Sequence, residues 1–163
     1  EPPKHVVLVD DVSVSLKPGK VLGLIGESGA GKSTIGLSSM SYARGGARLS
    51  GGHIILNGRD IIKLGAGKLR DLRGKEVTYV AQSAAASFNP SKRLMEQVIE
   101  TTLKNKIMPR NQAEKRAREL FRKLGLPNPD TFGERYPHQV SGGQLQRAMT
   151  AMALCPKPDL LFS

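Results

Sequence analysis

The feature that most restricts the fold of this chain is a short apolar run that leads directly into a glycine-rich loop. Residues 21–25 read Val-Leu-Gly-Leu-Ile, which is typical of a strand buried on both faces of a parallel sheet. Residues 26–33 read GESGAGKS and fit the pattern G-x-x-x-x-G-K-[ST] of a phosphate-binding loop. A proline-free stretch, residues 33–40, follows with apolar side chains suited to the inner face of a helix. Strand, glycine loop and helix in this order predict an α/β domain with an anion site.

Each fixed position of this loop has a chemical role in the prediction. Glycines allow the backbone to turn so tightly that consecutive N–H groups converge on phosphate oxygens, and the helix behind them adds its positive N-terminal end. Lys32 brings a full positive charge to the β and γ phosphates, and the Ser33 hydroxyl is placed to bind Mg²⁺. The alternative for the same residues is an ordinary glycine turn beside a surface lysine.

Other patterns outline the rest of the domain. Alternation over residues 12–16 predicts a half-buried strand, and Asn57-Gly58 between apolar runs at 53–56 and 61–62 predicts a hairpin. Residues 76–81 predict another strand.

Beyond this strand the pattern becomes helical, and we interpret residues 91–140 as a mostly helical insertion. One helix has its boundaries in the sequence: Asn111 is placed to cap its N-terminus, and Gly125 followed by Pro127 is placed to end it. Residues 159–163 predict the beginning of a further buried strand, and we therefore expect the chain to be part of a longer protein.

A second glycine-rich turn precedes another helical pattern. Residues 140–144 read Val-Ser-Gly-Gly-Gln and lead into residues 145–154, so a hydroxyl and two glycine amides stand at a helix N-terminus. Taken alone, this is most often a capped turn. Together with the first loop it predicts a second anion site.

These motifs in this order resemble the nucleotide-binding subunit of ABC transporters. The resemblance makes residues 26–33 the Walker A motif, Gln82 the Q-loop glutamine and residues 140–144 the signature motif. It implies that ATP is bound, that Ser33 and Gln82 bind Mg²⁺, and that Lys32 and Gln82 take part in catalysis. The nucleotide-binding set that it implies consists of Gly26, Glu27, Ser28, Gly29, Ala30, Gly31, Lys32, Ser33, Thr34, Ser141, Gly142, Gly143 and Gln144.

The resemblance also implies partners. In the family, the Walker A motif of one subunit and the signature motif of a second subunit close on one ATP, which implies a head-to-tail dimer. Transmembrane permease subunits and, indirectly, a periplasmic or extracellular solute-binding protein complete such an importer, and the subunit is peripheral on the cytoplasmic face of the cell membrane.

Finer motifs narrow the resemblance to the dipeptide and oligopeptide importer ATPases. Residues 23–29, Ser-Phe-Asn-Pro at 87–90 and Tyr-Pro-His-Gln at 136–139 are similar to that group. Relatives that carry nickel, glutathione or other small solutes share these motifs, so the solute stays open. No second ligand stands at metal-binding spacing from His138, and we expect this side chain to cap or pack.

The resulting expectation is a P-loop NTPase core, an α/β fold with a small antiparallel β portion and an inserted helical subdomain. Residues 1–90 and 141–163 form the core, and 91–140 form the helical subdomain that leads to the signature motif. The core is expected to be incomplete at its C-terminus, because the Walker B carboxylates of the family would follow Ser163. These 163 residues alone are therefore expected to bind ATP weakly and not to hydrolyse it.

The amino-acid composition limits which other classes of protein the chain could belong to. A single cysteine excludes a disulfide scaffold, and no apolar run approaches the roughly 18 residues of a membrane span. The net charge of +11 motivates one alternative, a nucleic-acid-associated ATPase with ABC-type motifs. Residues 92–123 hold ten Lys or Arg against four Glu and lack stacking aromatic residues, which favours a solvated basic face. A structural domain that binds no nucleotide is the third option.

Overall fold

The computed structural model describes residues 6–43 and 45–163 and divides into two compact units, Glu1–Gly65 and Ala66–Ser163. The predicted core segment 1–90 includes residues 1–5 and Arg44, which lie outside the described residues. In the first unit, helix α1 spans Lys32–Ser39. It begins directly after Gly31, within the 26–33 pattern and one residue before the predicted stretch 33–40, so the predicted helix is confirmed.

The two strands predicted before this loop are wrong. Residues 12–16 and 21–25 form no strand, and the side chains of Val21 and Ile25 are 96% and 99% exposed. A buried strand needs hydrogen-bonded neighbours along its edges, and no described residue pairs with either segment. The apolar pattern alone therefore does not create a sheet here.

A tight hairpin lies in the first unit at the predicted position. Strand β1, Ile55–Leu56, pairs antiparallel with β2, Arg59–Asp60. The two residues between them are left-handed, with φ of 49° at Asn57 and 76° at Gly58, as a primed two-residue turn requires. The Asn-Gly prediction of a hairpin is confirmed.

The second arm of the hairpin is shorter than predicted. Ile61–Lys63 forms a turn of 3₁₀ helix rather than a continuing strand. The Asp60 carboxylate causes the change, because its Oδ1 accepts a hydrogen bond from the backbone N–H of Ile62 at 3.3 Å and so caps the new turn. Ile61 itself is fully buried.

The second unit contains a parallel pair of strands. Strand β3, Val77–Tyr79, pairs with β4, Leu160–Phe162, and the backbone N–H of Val80 continues the ladder to the carbonyl of Phe162 at 2.8 Å. The rings of Tyr79 and Phe162 stack with their centroids 5.5 Å apart. Both strands lie within the predicted segments, so the strand predictions for 76–81 and 159–163 are confirmed. The predicted burial of the second strand is wrong, because Leu161 is exposed and Leu160 and Phe162 are only partly buried.

Helices form the rest of the second unit and build its core. They are α2, Ala66–Leu72; α3, Ala84–Ser87; α4, Leu94–Lys104; α5, Arg110–Lys123; and α6, Gly142–Leu154, with 3₁₀ turns at Phe132–Glu134 and Pro137–Gln139. At the centre of the core, the rings of Phe121 and Phe132 are fully buried and meet edge to face with their centroids 5.1 Å apart. Burial of one such side chain contributes roughly 1.5–3 kcal/mol.

Helix α5 begins at Arg110, two residues earlier than a cap at Asn111 would allow. Pro109 occupies the N-cap position, and its carbonyl accepts a hydrogen bond from the Ala113 N–H at 3.0 Å. Asn111 therefore lies inside the first turn and does not cap the helix. The predicted end is confirmed, because Gly125 adopts a left-handed φ of 67° directly after the C-cap Leu124.

The C-terminal end of α6 is fixed to α5 by an arginine. The guanidinium of Arg116 donates to the carbonyl oxygens of Leu154 at 2.8 Å and Cys155 at 2.9 Å. Such carbonyls have no partner within their own helix, so a cation there satisfies them and favours the negative end of the helix dipole. Cys155 is buried, and burial raises the pKa of its thiol.

Helices α4 and α5 fall inside the predicted segment 91–140, and α6, which packs against both, begins after it. The assignment of 91–140 as a separate helical subdomain stays a prediction. Among the described residues, no helix has both the length and the apolar character needed to cross a membrane.

Candidate functional site

The glycine loop of the first unit has the backbone form that phosphate binding needs. Gly29 and Gly31 adopt left-handed φ values of 86° and 87°, a conformation that side chains strongly disfavour. A Cβ on Gly31 would in addition approach the side chain of Val9 to 3.1 Å. The loop turns at Ala30, whose N–H donates to the carbonyl of Glu27 at 3.2 Å, and α1 begins immediately after Gly31.

Lys32 folds back over the start of this loop. Its ammonium group donates to the carbonyl oxygens of Gly26 and Glu27, each at 2.6 Å. An ammonium has three protons, so one remains for a further acceptor. The positive charge is thereby held at the loop rather than extended into solvent.

The amides at the start of α1 are open. The N–H of Ile35 is the first to bond within the chain, to the carbonyl of Gly31 at 2.9 Å, and no side chain caps the helix. Within the described ranges, the N–H groups of Lys32, Ser33 and Thr34 make no hydrogen bond. The first turn of α1 also contains no acidic residue that would repel an anion.

The donors and the charge of the loop determine whether a phosphate group fits it. Left-handed glycines, three open amides at a helix N-terminus and a lysine held over the loop provide donors and positive charge without a bulky side chain in the way. Ser33, in the same turn, is exposed, and its hydroxyl is an oxygen ligand of the kind that a hard cation prefers. The residues present therefore fit a nucleotide phosphate with Mg²⁺.

The second glycine turn, in the second unit, begins α6 with a capping box. The Ser141 hydroxyl accepts a hydrogen bond from the N–H of Gln144 at 3.2 Å, and the Gln144 side chain accepts one from the N–H of Ser141 at 3.1 Å. The turn is thus a capped helix start, as its simpler interpretation predicts. The hydroxyl proton of Ser141 is still available to donate.

The two glycines between these residues keep the helix start uncovered. A Cβ placed on Gly142 or on Gly143 would meet no atom within 4 Å. Packing in this chain therefore does not demand glycine at either position. In the part of the chain that the structure describes, their N–H groups also have no hydrogen-bond partner, which leaves two donors for an approaching anion.

Gln82 follows β3 in the same unit as this turn. Its side chain is exposed, and it makes no hydrogen bond to any described residue. The chain on both sides of it is fixed: Val80 is buried and paired with β4, and Ala84 is buried in the helical core. Gln82 is therefore a free side chain on an anchored backbone.

The predicted site residues fall into two groups. Gly26–Ser33 and Thr34 lie in the first unit, whereas Gln82 and Ser141–Gln144 lie in the second. Within the second unit, α6 brings its group together, because Gln146 on this helix donates to the carbonyl of Ala81, the residue before Gln82.

The sequence matches the family described as "ABC transporter" over residues 9–163, nearly the whole chain. The chain belongs to the ABC transporter family. The resemblance to this family is thereby confirmed. The assignment of the glycine loop, Gln82 and the start of α6 to individual motifs stays a prediction.

Curated ABC transporter relatives are named as peptide transport proteins. The chain is 35% identical to the oligopeptide transport ATP-binding protein OppD of Escherichia coli (strain K12), over 99% of this chain and 48% of the relative. It is 35% identical to the dipeptide transport ATP-binding protein DppD of Lactococcus lactis subsp. cremoris (strain MG1363), over 97% of this chain and 46% of that protein. The chain spans about half the length of the relatives it matches, and their names do not favour the nucleic-acid alternative.

A solved ABC structure shows the fold. An ATP-binding cassette, described as dimeric in a post-hydrolysis state bound to ADP and Pi, superposes with a TM-score of 0.77 at 24% identity. The match covers 94% of this chain and 64% of the solved one. The expected α/β fold of the P-loop NTPase type is confirmed.

Three side chains that organise the motifs of this ABC transporter chain were not predicted. Arg147 donates from Nη1 to the carbonyls of Leu124 at 3.2 Å and Gly125 at 2.8 Å, and from Nε to that of Gly143 at 3.3 Å. Gln146 reaches Ala81. A usable signal exists for Arg147, because it is the sole charged residue in the otherwise uncharged sequence of α6.

The third unpredicted side chain, Gln97, braces the segment after Gln82. Buried in α4, it accepts a hydrogen bond from the Asn89 N–H at 2.7 Å and donates to the carbonyls of Asn89 and Lys92, both at 3.0 Å. These bonds hold the Ser-Phe-Asn-Pro segment at 87–90 against α4. His138 also has a packing role, since its ring stacks on that of Tyr136 with the centroids 5.7 Å apart.

Proposed function

We propose that this chain is the ATP-binding part of the ATPase subunit of an ABC importer, and that the full-length protein hydrolyses ATP to drive uptake of peptides or a similar small solute. The observation that carries this proposal is the glycine loop with its lysine: left-handed Gly29 and Gly31, the Lys32 ammonium at 2.6 Å from two loop carbonyls, and open amides on α1. Membership of the ABC transporter family supports ATP as the phosphate compound.

The proposed phosphate site is the glycine loop together with the first turn of α1. Lys32 exchanges its loop carbonyls for the β and γ phosphates, and the open amides donate to phosphate oxygens. Mg²⁺, when bound, neutralises charge that develops on the phosphate oxygens. Ser33 and Gln82 are the proposed oxygen ligands for this ion. The phosphate-holding residues are proposed to be Gly26, Glu27, Ser28, Gly29, Ala30, Gly31, Lys32, Ser33 and Thr34.

The start of α6 is the proposed contact for a second nucleotide. Ser141, Gly142, Gly143 and Gln144 offer a hydroxyl proton and two open amides at a helix N-terminus whose glycines leave room for close approach. We propose that they face the ATP bound by a second ABC subunit in a head-to-tail dimer. The dimeric description of the solved cassette is consistent with this arrangement.

The solute proposed is a dipeptide or short oligopeptide, on the strength of the names of the relatives. The subunit would bind permease subunits at the cytoplasmic face of the cell membrane, and a solute-binding protein would deliver the solute to them. Deleting the gene should then abolish uptake of radiolabelled di- and tripeptides, with restoration by the intact gene. Unchanged peptide uptake in the deletion strain, together with loss of uptake of a different solute, would contradict the peptide assignment.

The ATPase proposal is tested with the purified full-length protein. Mg²⁺-dependent ATP hydrolysis is expected in the wild type and should fall at least a hundredfold in Lys32→Ala, because the charge at the phosphates is lost. Lys20→Ala is the matched control, since Lys20 is exposed and lies before the loop. Equal rates in Lys32→Ala and Lys20→Ala would show that the glycine loop is not the site of hydrolysis.

A further inference from the structure

The second turn of α6 carries a contact that joins two of the motifs. Gln146 is partly buried, and its Nε2 donates to the backbone carbonyl of Ala81 at 3.4 Å. Ala81 is the residue immediately before Gln82, and Gln146 lies two residues after Gln144. One side chain therefore links the Q-loop to the helix that begins at the signature turn, across 65 positions of sequence.

The neighbourhood of this contact explains why one hydrogen bond can matter. Before Gln82, the N–H of Val80 is the last to pair with β4, at 2.8 Å from the Phe162 carbonyl. After Gln82, Ala84 is buried where α3 packs against α6. Gln82 thus lies on a short bridge between a strand and a helix, and Gln146 holds the carbonyl at the start of that bridge.

We propose that Gln146 is a positioning residue that fixes the backbone of Gln82 relative to the signature turn at Ser141–Gln144. The proposal rests on the function proposed above for Gln82 and for the signature turn. Gln146 contacts neither nucleotide nor Mg²⁺ in this account, and it acts through Ala81. A shift of α6 would therefore move the Gln82 bridge with it, so that the two motifs change position together.

The first test measures whether the hydrogen bond from Gln146 to Ala81 holds the backbone around Gln82, in full-length protein without nucleotide. Gln146→Met keeps the length of the side chain and removes the donor, whereas Gln146→Glu places a carboxylate against the Ala81 carbonyl. Amide hydrogen exchange in a peptide covering residues 80–88 should be faster in both variants, and more so in Gln146→Glu. Exchange in a peptide covering α4 should be unchanged. The control is Gln112→Met, because Gln112 is exposed on α5 and makes no hydrogen bond to the described residues through its side chain.

The second test asks whether the Gln146–Ala81 hydrogen bond affects ATP hydrolysis through the side chain of Gln82. In the full-length protein, kcat for ATP hydrolysis should fall about two- to tenfold in Gln146→Met with KM nearly unchanged, the range expected for one neutral hydrogen bond. In a Gln82→Ala background the same substitution should have no further effect, because the positioned side chain is gone. A structural role alone would lower kcat by the same factor in both backgrounds.

The outcomes separate this proposal from the one it rests on. Unchanged exchange over residues 80–88 in Gln146→Met, or equal kcat effects with and without Gln82, overturns the positioning role while ATP hydrolysis by the wild type stands. Absence of ATP hydrolysis in the wild type overturns the proposed function and, with it, any role of the Gln146–Ala81 hydrogen bond in catalysis. The exchange measurement then reports only whether Gln146 holds Ala81.

Discussion

Arg147 and Gly125 are joined by a 2.8 Å hydrogen bond from the Arg147 Nη1 atom to the Gly125 carbonyl oxygen. The same guanidinium donates to the carbonyls of Leu124 and Gly143. Gly125 ends α5 in a left-handed conformation, and Gly143 lies in the first turn of α6. A single cation therefore satisfies the orphan carbonyls at the end of one helix and fixes the glycine turn that begins another.

Replacing this arginine should destabilise the second unit. In Arg147→Met the carbonyls of Leu124 and Gly125 lose this donor, and the Gly143 carbonyl keeps only its bond within α6. We expect the free energy of unfolding of the full-length protein to fall by about 1–2 kcal/mol, measured by urea denaturation. Arg147→Lys should give a smaller loss than Arg147→Met, because the ammonium keeps a charged donor for one carbonyl although it lacks the fork that reaches several. Arg122→Met is the control, since Arg122 makes an exposed ion pair with Asp130. Equal losses in Arg147→Met and Arg122→Met would show that the three-carbonyl contact contributes nothing.

The signature turn allows stability and function to be separated at Ser141. Ser141→Ala removes the capping oxygen and should cost about 1 kcal/mol of stability, whereas Ser141→Asp keeps an N-cap acceptor and should cost little. Ser91→Ala, at an exposed serine of the same unit, should be neutral.

Function should respond in the opposite order at this position. Ser141→Asp places a negative charge where the phosphate of a second nucleotide is proposed to bind, so ATP-dependent dimerisation should be lost in Ser141→Asp and only weakened in Ser141→Ala. Light scattering with a non-hydrolysable ATP analogue measures this. Dimerisation of Ser141→Asp at the wild-type level would remove the signature turn from the proposed interface.

The stability of the hairpin in the first unit should depend on ionisation of the Asp60 carboxyl at low pH. The hydrogen bond from the His53 ring at 2.8 Å is the main cause that holds the pKa of the Asp60 carboxyl below its ordinary value of 3.8, and the N–H groups of Ile54 and Ile62 act in the same direction. Because the folded pKa is lowered, this stabilisation is present above pH 3.8 and is lost as the pH falls through the lower folded value.

An Asp60→Asn variant tests directly whether protonation of Asp60 causes this loss of stability at low pH. The amide resonance of Ile62, followed by NMR from neutral into strongly acidic solution, should shift with the carboxyl titration in the wild type and stay flat in Asp60→Asn. Asp71→Asn changes an exposed carboxylate on α2 and should leave the titration of Ile62 intact. A titration of Ile62 that persists in Asp60→Asn would show that another group controls the hairpin.

Local chemistry explains which parts of the fold the sequence predicts. Asn57-Gly58 specifies a primed turn because both residues tolerate positive φ, and α5 follows from an apolar stripe that ends just before Gly125. The segment 21–25 shows the opposite case. Its apolar pattern indicates burial, but burial depends on neighbouring strands, and none of the described residues supplies them.

The candidate site likewise has parts that the sequence predicts and parts that it does not. The glycine loop and the capped turn at Ser141 are local patterns of a few residues, so the sequence alone predicts them. The bond from Gln146 to Ala81 spans 65 positions, and that from Arg147 to Gly125 spans 22. Contacts of this kind depend on how helices pack, which periodicity does not encode.

The most direct test of the central claim, that the glycine loop binds nucleotide phosphates, is the stabilisation of the full-length protein by ATP with Mg²⁺. At an ATP concentration about one hundred times Kd, binding should add about 2.7 kcal/mol to the free energy of unfolding and raise Tm. The shift should persist in Lys20→Ala and vanish in Lys32→Ala. An ATP-dependent shift of Tm in Lys32→Ala equal to that of the wild type would contradict the account.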